Sequence, residues 1–378
     1  MNTLAHTRRI FLKLIAITAI ATLAAGTAPA KEEWQGIKKI VAVGDVHGDY
    51  GQFVALLRSA GLIDEDDHWI GGETHLVQTG DVPDRGPDTR KIMDLLMRLE
   101  DEAKKAKGYV HALIGNHQAM NVYGQLNYVH SGEWAAFAAE QSEDLREKAY
   151  KQYKREQKAN PSGGGLPDFN DAYRAAWFAR YPLGYFEHRK AFDVLGTYGK
   201  WIAGHNAVIK INDTIFLHGG IGSGFVGESL KWLNQSIVGE LRDFSKLQAG
   251  IATNSEGPLW YRGLAQQEEA IEEPHLEELL DNLEAKRIVI GHTVSPGTVW
   301  PRFGGRVVMI DVGMASAYGG RLACLVIEDG VPYTLHRGER IDFPKDAGPD
   351  LLRYVKEAAA LDPQPSLLAA TVAKLETH

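Results

Sequence analysis

The sequence has 378 residues, of which 44% are hydrophobic and 24% are charged, a composition typical of a globular protein with a large core. Its 49 acidic residues outnumber its 41 basic residues, and the formal net charge is -8. Because nucleic-acid binding depends on Lys and Arg contacts to phosphate, this balance argues against a nucleic-acid partner. An anionic substrate must therefore be held by a local cationic site.

The first thirty residues are predicted to be an export signal outside the fold. Arg8, Arg9 and Lys13 precede an apolar stretch over residues 14–25, and Ala-Pro-Ala follows at 28–30. This order of charged, apolar and small residues is typical of a cleavable signal peptide, and the apolar stretch is short for a membrane span. The paired arginines indicate the twin-arginine route, with a general secretory signal or an uncleaved anchor as the alternatives. We expect a periplasmic protein that keeps no stable membrane anchor after cleavage.

Three apolar, β-branched runs predict strands, and each run ends at a motif rich in glycine and in metal-ligand side chains. The runs cover residues 37–43, 74–78 and 109–114, and helices with one apolar face are predicted over 50–60 and 88–105. Alternation of strand and helix predicts a largely parallel sheet with the three motifs at the carboxyl ends of neighbouring strands. That edge is where ligands bind in open α/β sheets.

Residues 121–200 differ in character and predict a helical insertion that shapes or caps the site. A charged, Ala-rich segment over 133–158 and an aromatic-rich segment over 168–192 both favour helices. The insertion belongs to one catalytic domain, predicted over residues 31–340. A helical tail is predicted over 341–378.

After the insertion the sequence returns to strands that end in further histidine motifs. A hairpin over 207–217 leads to His218-Gly219-Gly220, and a strand over 287–290 leads to Gly291-His292-Thr293. The remaining predicted elements are strands over 307–311 and 322–328 and helices over 268–286, 349–360 and 367–375.

Six side chains in these motifs suit a pair of divalent metal ions. They are carboxylate, amide and imidazole groups at strand ends or in the turns that follow: Asp45, His47, Asp81, Asn116, His218 and His292. Mixed oxygen and nitrogen ligands fit Mn, Fe, Zn or Co, and the sequence does not select among these metals. Two such ions about 3.5–4 Å apart can clamp the attacking and leaving oxygens of a displacement at phosphorus.

Five motifs of the chain occur in the order found in the phosphoprotein phosphatases: GDVHG, GDVPDRG, GNH, HGG and GHT. Over residues 37–330 the chain therefore resembles this group of calcineurin-like metallophosphoesterases. The segment over 115–121 and the export signal are most similar to the bacterial Shewanella-like branch. The resemblance implies an α/β fold, an αββα sandwich of two mixed sheets. It also implies two metals: the first on Asp45 and His47, the second on Asn116, His218 and His292, with Asp81 as the bridge.

The resemblance further implies that water between the metals attacks phosphorus directly, because metal binding lowers its pKa, and that no phosphoenzyme forms. Arg85 would bind phosphate oxygens, and Arg262 is the candidate for a second phosphate-binding arginine. His117 resembles the family's general acid, with Asp84 orienting it. The family usually has Glu after the Asn-His pair, where this chain has Gln118.

Three functions are compatible with these residues. The first is a phosphomonoesterase acting on phosphoproteins or phosphopeptides, with Ser/Thr and Tyr both open. The second keeps the chemistry but takes a dinucleoside polyphosphate or another small phosphoester. The third is a metal-binding scaffold without turnover, for which Gln118 is the one supporting feature. We predict the first, with phosphorylated proteins, peptides or small phosphoesters as partners.

Overall fold

Two six-stranded mixed sheets form the centre of the structure, and both contribute to one hydrophobic core. The computed structural model describes residues 31–159, 166–344 and 348–377. Its strands, in chain order, are β1 (Glu33–Trp34), β2 (Lys39–Val43), β3 (His75–Gln78), β4 (Tyr109–Ala112), β5 (Val208–Ile211), β6 (Thr214–Leu217), β7 (Arg287–Ile290), β8 (Trp300–Arg302), β9 (Val307–Met309), β10 (Ala323–Glu328), β11 (Val331–His336) and β12 (Glu339–Asp342).

Each sheet contains a run of three parallel strands. In the sheet with order β12-β11-β10-β2-β3-β4, strands β2, β3 and β4 are parallel, and Gln78 lies opposite both Val43 and Ala112. In the sheet with order β1-β5-β6-β7-β9-β8, strands β6, β7 and β9 are parallel in the same way. The prediction of two mixed sheets is confirmed. Parallel neighbours end at one edge, so each sheet presents three consecutive loops on one side.

The helices follow from apolar residues at helical spacing. In α2, for example, Ile92, Leu95, Leu96 and Leu99 are all buried on one face. The described helices are α1 (Tyr50–Ser59), α2 (Thr89–Lys105), α3 (Asn116–Tyr123), α4 (Ser131–Phe137), α5 (Ser142–Ala159), α6 (Asp171–Arg180), α7 (Tyr185–Phe192), α8 (Thr197–Ile202), α9 (Leu230–Arg242), α10 (Gly263–Gln266), α11 (Glu269–Asn282), α12 (Pro349–Leu361) and α13 (Ala369–Glu376).

The segment between β4 and β5 contains the helices α3 to α8. The helix predicted over 133–158 is two helices, because Ala138 is extended and Ala139 N–H donates to Ser142 Oγ at 2.8 Å. Further along, Tyr150, Trp177 and several neighbouring rings form a separate aromatic cluster. These rings pack against one another, so they stabilise the insertion itself.

Two hairpins that the sequence analysis did not predict complete the sheet that contains β2, β3 and β4. Strands β10 and β11 are joined by Asp329-Gly330, and β11 and β12 by Arg337-Gly338. All four residues have positive φ, as a two-residue turn between antiparallel strands requires. The tail predicted from residue 341 therefore starts with the last two residues of β12.

The predicted export signal over residues 1–30 lies outside the described residues. Within the described ranges, no helix combines the length and the apolar character needed to cross a membrane. The division into signal, catalytic domain and tail stays a prediction.

Candidate metal centre

Five of the six strands in the two parallel runs are followed by loops that carry the predicted metal-ligand side chains. Each of these side chains is at most 7% exposed. Asp45 and His47 follow β2, Asp81 follows β3, Asn116 begins α3 just beyond β4, His218 follows β6, and His292 follows β7. Loops of the two sheets therefore meet in one buried cluster.

Asp81 lies at the middle of this cluster. Its Oδ2 is 3.8 Å from His47 Nε2 and 3.7 Å from His117 Nε2, whereas its Oδ1 is 3.2 Å from His218 Nε2. Ligand atoms of His47, Asp81 and His117 lie within 4.8 Å of one another, and those of Asp81, His218 and His292 do the same. The two oxygens of Asp81 thus face two different sets, which is the geometry of a bridging carboxylate.

Asp45 and Asn116 lie beside these two sets. The Asp45 carboxylate accepts a hydrogen bond from His292 N–H at 3.1 Å and lies 3.9 Å from His47 Nε2. Asn116 Oδ1 lies 2.8 Å from His218 Nε2. The structure therefore brings all six predicted ligands together, with His117 as a seventh candidate by distance alone.

Backbone carbonyls orient the imidazole rings toward the cluster. His47 Nδ1 lies 3.1 Å from the Pro83 carbonyl oxygen, and His218 Nδ1 lies 3.0 Å from the Thr79 carbonyl oxygen. A ring that donates Nδ1–H to a carbonyl keeps Nε2 unprotonated and available as a ligand. His292 Nε2 is buried and has no hydrogen-bond partner in the described part of the chain. Such an orphaned buried nitrogen, aimed at Asp81 and His218, fits a metal ligand.

A third carboxylate, Asp311, belongs to the cluster and was missed by the sequence analysis. Burial raises the pKa of Asp45 well above its ordinary value, and the carboxylates of Asp311 and Asp81 raise it further. Burial also raises the pKa of Asp311 to about 6. Burial raises the pKa of Asp81 too, but His218 and the other histidines outweigh it and hold that pKa well below its usual range. Buried carboxylates that repel one another require compensating cations, and two divalent ions would provide them.

Several site residues adopt backbone conformations that residues other than glycine rarely adopt. Positive φ values occur at His47 (46°), Asp81 (56°), Asp84 (74°), Arg85 (67°) and His292 (64°). Such strain costs roughly 1–3 kcal/mol per residue and concentrates at functional sites, where the surrounding structure must maintain it.

Motif glycines allow the loops around the cluster to approach one another closely. A Cβ on Gly44 would lie 2.3 Å from the Ile310 carbonyl oxygen, just before Asp311. Gly80 has a φ of +102°, and a Cβ there would lie 2.6 Å from Gly115 Cα. Glycine is therefore required at both positions by contact distance, and at Gly80 also by conformation.

His117 and Asp84 form a close pair at the edge of the cluster. His117 Nδ1 lies 2.5 Å from Asp84 Oδ2, and the other Asp84 oxygen accepts from Asn121 Nδ2 at 3.1 Å. Burial lowers the pKa of His117, but Asp81 and the hydrogen-bonded Asp84 outweigh it, so the pKa is raised overall. A cationic imidazole with Nε2 facing the cluster can donate a proton to a leaving oxygen.

Arg85 lies at the exposed mouth of the cluster between two tyrosines. Its guanidinium carbon is 4.3 Å from the ring centre of Tyr128 and 5.9 Å from that of Tyr318. Tyr128 also packs against the ring of His117, at 5.2 Å, and Tyr318 against His47, also at 5.2 Å. The two tyrosines, which the sequence analysis did not single out, restrict the plane of a guanidinium that can bind phosphate bidentately.

The family model of calcineurin-like phosphoesterases matches residues 38–296 of the sequence. The chain belongs to this family. It is 28% identical over 328 residues to Shewanella-like protein phosphatase 2 of Arabidopsis thaliana, covering 82% of this chain and 76% of the relative. It is also 30% identical over 315 residues to an uncharacterised protein of Schizosaccharomyces pombe, covering 79% of this chain and 81% of the relative.

The fold is similar to the crystal structure of the cold-active protein-tyrosine phosphatase of a psychrophilic Shewanella species. The TM-score is 0.63 at 27% identity, and the match covers 83% of this chain and 82% of the other. The resemblance to the Shewanella-like branch and the predicted fold class are both confirmed. This calcineurin-like phosphoesterase is thus a hydrolase with metal-dependent phosphoesterase activity, in a family that typically uses two metal ions.

Gln118 of this phosphoesterase has a scaffolding role. Its Oε1 accepts hydrogen bonds from the N–H groups of Asp81, at 2.8 Å, and Gly115, at 3.2 Å. A glutamate at this position offers the same acceptor oxygen. The amide therefore retains the contacts that hold the second and third motifs together, and Gln118 gives no support to an inactive scaffold.

Arg262 contacts the loop that carries His292. Its Nη1 donates to the His292 carbonyl oxygen and to Thr293 Oγ1, both at 2.8 Å. Arg262 also lines a groove of about 870 Å³ whose walls include Tyr123, Phe244 and Trp260. Arg262 is the one charged residue on the described lining of this groove.

The other histidines that lie near the motifs in sequence have structural partners. His75 Nδ1 is 2.9 Å from His111 Nε2, and His205 Nε2 is 2.8 Å from Glu100 Oε1. Neither pair joins the two ligand sets around Asp81.

Proposed function

We propose that this phosphoesterase hydrolyses phosphomonoesters of proteins or peptides, with phosphotyrosine as the preferred phosphorylated residue. The proposal is supported above all by the arrangement of side chains around Asp81. Two sets of ligand atoms share this carboxylate and are flanked by the His117–Asp84 pair and by Arg85. That arrangement supplies a place for a phosphoryl group, a proton donor for the leaving oxygen and a cation for the remaining oxygens.

The metal ions would be held by two sets of side chains that share Asp81. One ion would be held by Asp45, His47 and Asp81, and the other by Asn116, His218, His292 and Asp81. When bound, the two divalent ions would neutralise phosphate charge and lower the pKa of water.

The protein itself would supply the remaining groups. Arg85, restricted by Tyr128 and Tyr318, would bind two phosphate oxygens. His117 would hold a proton on Nε2 for the leaving oxygen, while Asp84 accepts the hydrogen bond from Nδ1–H. Arg262 would face the phosphate from the side of the groove.

The groove beside Arg262 favours a peptide over a polyphosphate. A dinucleoside polyphosphate carries a negative charge on each phosphate and needs several cations along its path. The described lining offers one guanidinium and otherwise aromatic, aliphatic, hydroxyl and amide groups. Such walls suit the ring of a phosphotyrosine and its uncharged neighbours. The similar Shewanella structure is that of a protein named a tyrosine phosphatase.

A substrate panel tests this proposal. Purified protein loaded with Mn²⁺ is assayed on phosphotyrosine, phosphoserine and phosphothreonine peptides of one flanking sequence, and on diadenosine tetraphosphate. We expect phosphotyrosine peptide to give the highest kcat/KM and a chelator to abolish its hydrolysis. A preference for diadenosine tetraphosphate would instead support a dinucleoside polyphosphate hydrolase. No turnover of any substrate would support a metal-binding scaffold without catalytic activity.

We also propose that the protein is exported to the periplasm by the twin-arginine route, which moves folded proteins, and that its metal ions are Mn, Fe, Zn or Co. The supporting feature is the Arg8-Arg9 pair ahead of the apolar stretch. Residues 1–35 fused to a reporter that folds in the cytoplasm should carry the reporter to the periplasm. With Arg8→Lys and Arg9→Lys in the fusion, the reporter should stay in the cytoplasm. Unchanged export of the reporter by this variant would exclude the twin-arginine route.

A further inference from the structure

A buried Glu–His pair from the insertion lies behind the loop that carries Asp84. Glu133 in α4 and His188 in α7 are both 0% exposed, and Glu133 Oε1 is 3.0 Å from His188 Nε2. The other oxygen, Oε2, accepts from the Thr89 hydroxyl at 2.8 Å and from Asp84 N–H at 3.4 Å. The proposed reaction gives no role to this pair, although ionisable groups are rarely buried so completely.

The surroundings of the pair keep it neutral. The rings of Trp134, Phe137 and Phe192 lie 4.4–4.9 Å from the His188 ring. Burial raises the pKa of Glu133 to about 8, with a further contribution from Asp84, and burial lowers the pKa of His188 well below its usual range. A protonated Glu133 can donate to His188 Nε2 through Oε1 while Oε2 stays an acceptor for Asp84 N–H.

The insertion also supplies the acceptor for the next amide of the same turn. Asp84 and Arg85 both have positive φ, so external contacts must maintain this turn. Arg85 N–H donates to the Tyr128 carbonyl oxygen at 3.0 Å, and Asp84 N–H donates to Glu133. Both amide groups of the strained turn are therefore bonded to the segment that begins after α3.

Helix α7 also contacts the helix that carries His117. Arg189, next to His188, donates to the carbonyl oxygens of Asn121 and Val122 at the end of α3, the helix that carries His117. Asn121 in turn donates from Nδ2 to Asp84 Oδ1. The insertion thus fixes both the helix of the imidazole and the loop of its carboxylate partner.

We infer that Glu133, held by His188, is a positioning residue for His117. By accepting Asp84 N–H, Glu133 fixes the turn that aims the Asp84 carboxylate at His117 Nδ1. The helical insertion is then part of the proton-donating apparatus. The inference rests on the proposed role of His117 as the general acid.

The test compares a good with a poor leaving group. Glu133→Met removes both acceptor oxygens with little change in volume, and the metal-loaded variant is assayed on 2,4-dinitrophenyl phosphate and on phenyl phosphate. We expect kcat for phenyl phosphate to fall about 10- to 100-fold and kcat for the dinitrophenyl ester to fall less than about threefold, because only a poor leaving group needs the general acid. KM and the metal content should be unchanged.

Four further variants complete the design. Glu133→Gln should restore phenyl phosphate hydrolysis, because its amide still offers an oxygen to Asp84 N–H and an N–H to His188. Glu100→Gln is the matched control, since Glu100 pairs with His205 away from the ligand sets. In an Asp84→Asn background, Glu133→Met should cause little additional loss. Glu133→Leu repeats the measurement if the methionine variant does not fold.

Equal losses for the two esters, or a full additional loss in the Asp84→Asn background, would overturn the inference while the proposed function stands. A wild-type protein that hydrolyses neither ester would overturn both.

Discussion

Asp81 contacts histidines on both sides of the candidate site, and no Lys or Arg is paired with it in the described structure. Its low pKa keeps it ionised, as a ligand must be. At the scale of single residues, its charge is therefore the feature on which both ligand sets depend.

The variant Asp81→Asn tests this dependence. It keeps the size of the side chain but removes the charge shared by the two sets. We expect kcat to fall by several orders of magnitude and the bound metal to decrease, as measured by phosphatase assay and elemental analysis. The exposed Asp66→Asn provides the control. An Asp81→Asn protein with normal activity and two bound ions would exclude the bridge.

Asp84 contributes to the range of pH over which His117 can act. Because Asp81 and the hydrogen-bonded Asp84 together raise the pKa of His117, the imidazole stays charged to higher pH, and activity should decline as pH rises through that raised pKa. In Asp84→Asn the pKa falls, so the alkaline limb of the kcat profile should move to lower pH. A profile of kcat against pH for an aryl ester checks this, and an unchanged alkaline limb would show that another group governs it.

Gln118 is predicted to tolerate a charge but not the loss of its oxygen. Gln118→Glu keeps an acceptor for both N–H groups, so its activity should stay within a few-fold of the wild type. Gln118→Leu leaves two buried N–H groups without an acceptor, at a cost of roughly 1–3 kcal/mol each in the free energy of unfolding. Urea unfolding of the two metal-free variants would distinguish them, and equal midpoints would contradict the scaffolding role.

At the scale of elements, the parallel strands and the motifs that end them were predictable because both are local in sequence. The apolar runs before Asp45, Asp81 and His292 each predicted a strand and the loop after it. Strands β11 and β12 were missed because their Asp-Gly and Arg-Gly turns were not interpreted as hairpins. Asp311 follows an apolar run in the same way, yet it was assigned to the strand itself and so was not considered a site residue.

The approach of β9 to the first motif depends on Gly44. Gly44→Ala would place a Cβ 2.3 Å from the Ile310 carbonyl oxygen, so the loops of the two sheets must separate. We expect a lower melting temperature and weaker metal binding. The control is Gly239→Ala in α9, where a Cβ meets no atom within 4 Å and should stabilise the helix by roughly 0.5–1 kcal/mol. Equal stability of the two variants would contradict the close contact.

At the scale of the whole molecule, the partners of the site could not be predicted because they come from distant segments. Tyr128 and Glu133 belong to the insertion and Tyr318 to the loop after β9, and no local pattern connects them to Arg85 or Asp84. The six predicted ligands could be singled out because each is embedded in a motif. The residues proposed to orient His117 become visible only when the fold brings the insertion against the motif loops.

The central claim is a pair of divalent ions gathered around Asp81 by loops of both sheets. Its most direct test is elemental analysis of protein reconstituted with Mn²⁺ and dialysed to remove loosely bound metal. The account predicts close to two ions per chain for the wild type. A chain that retains no stoichiometric metal ion would contradict it.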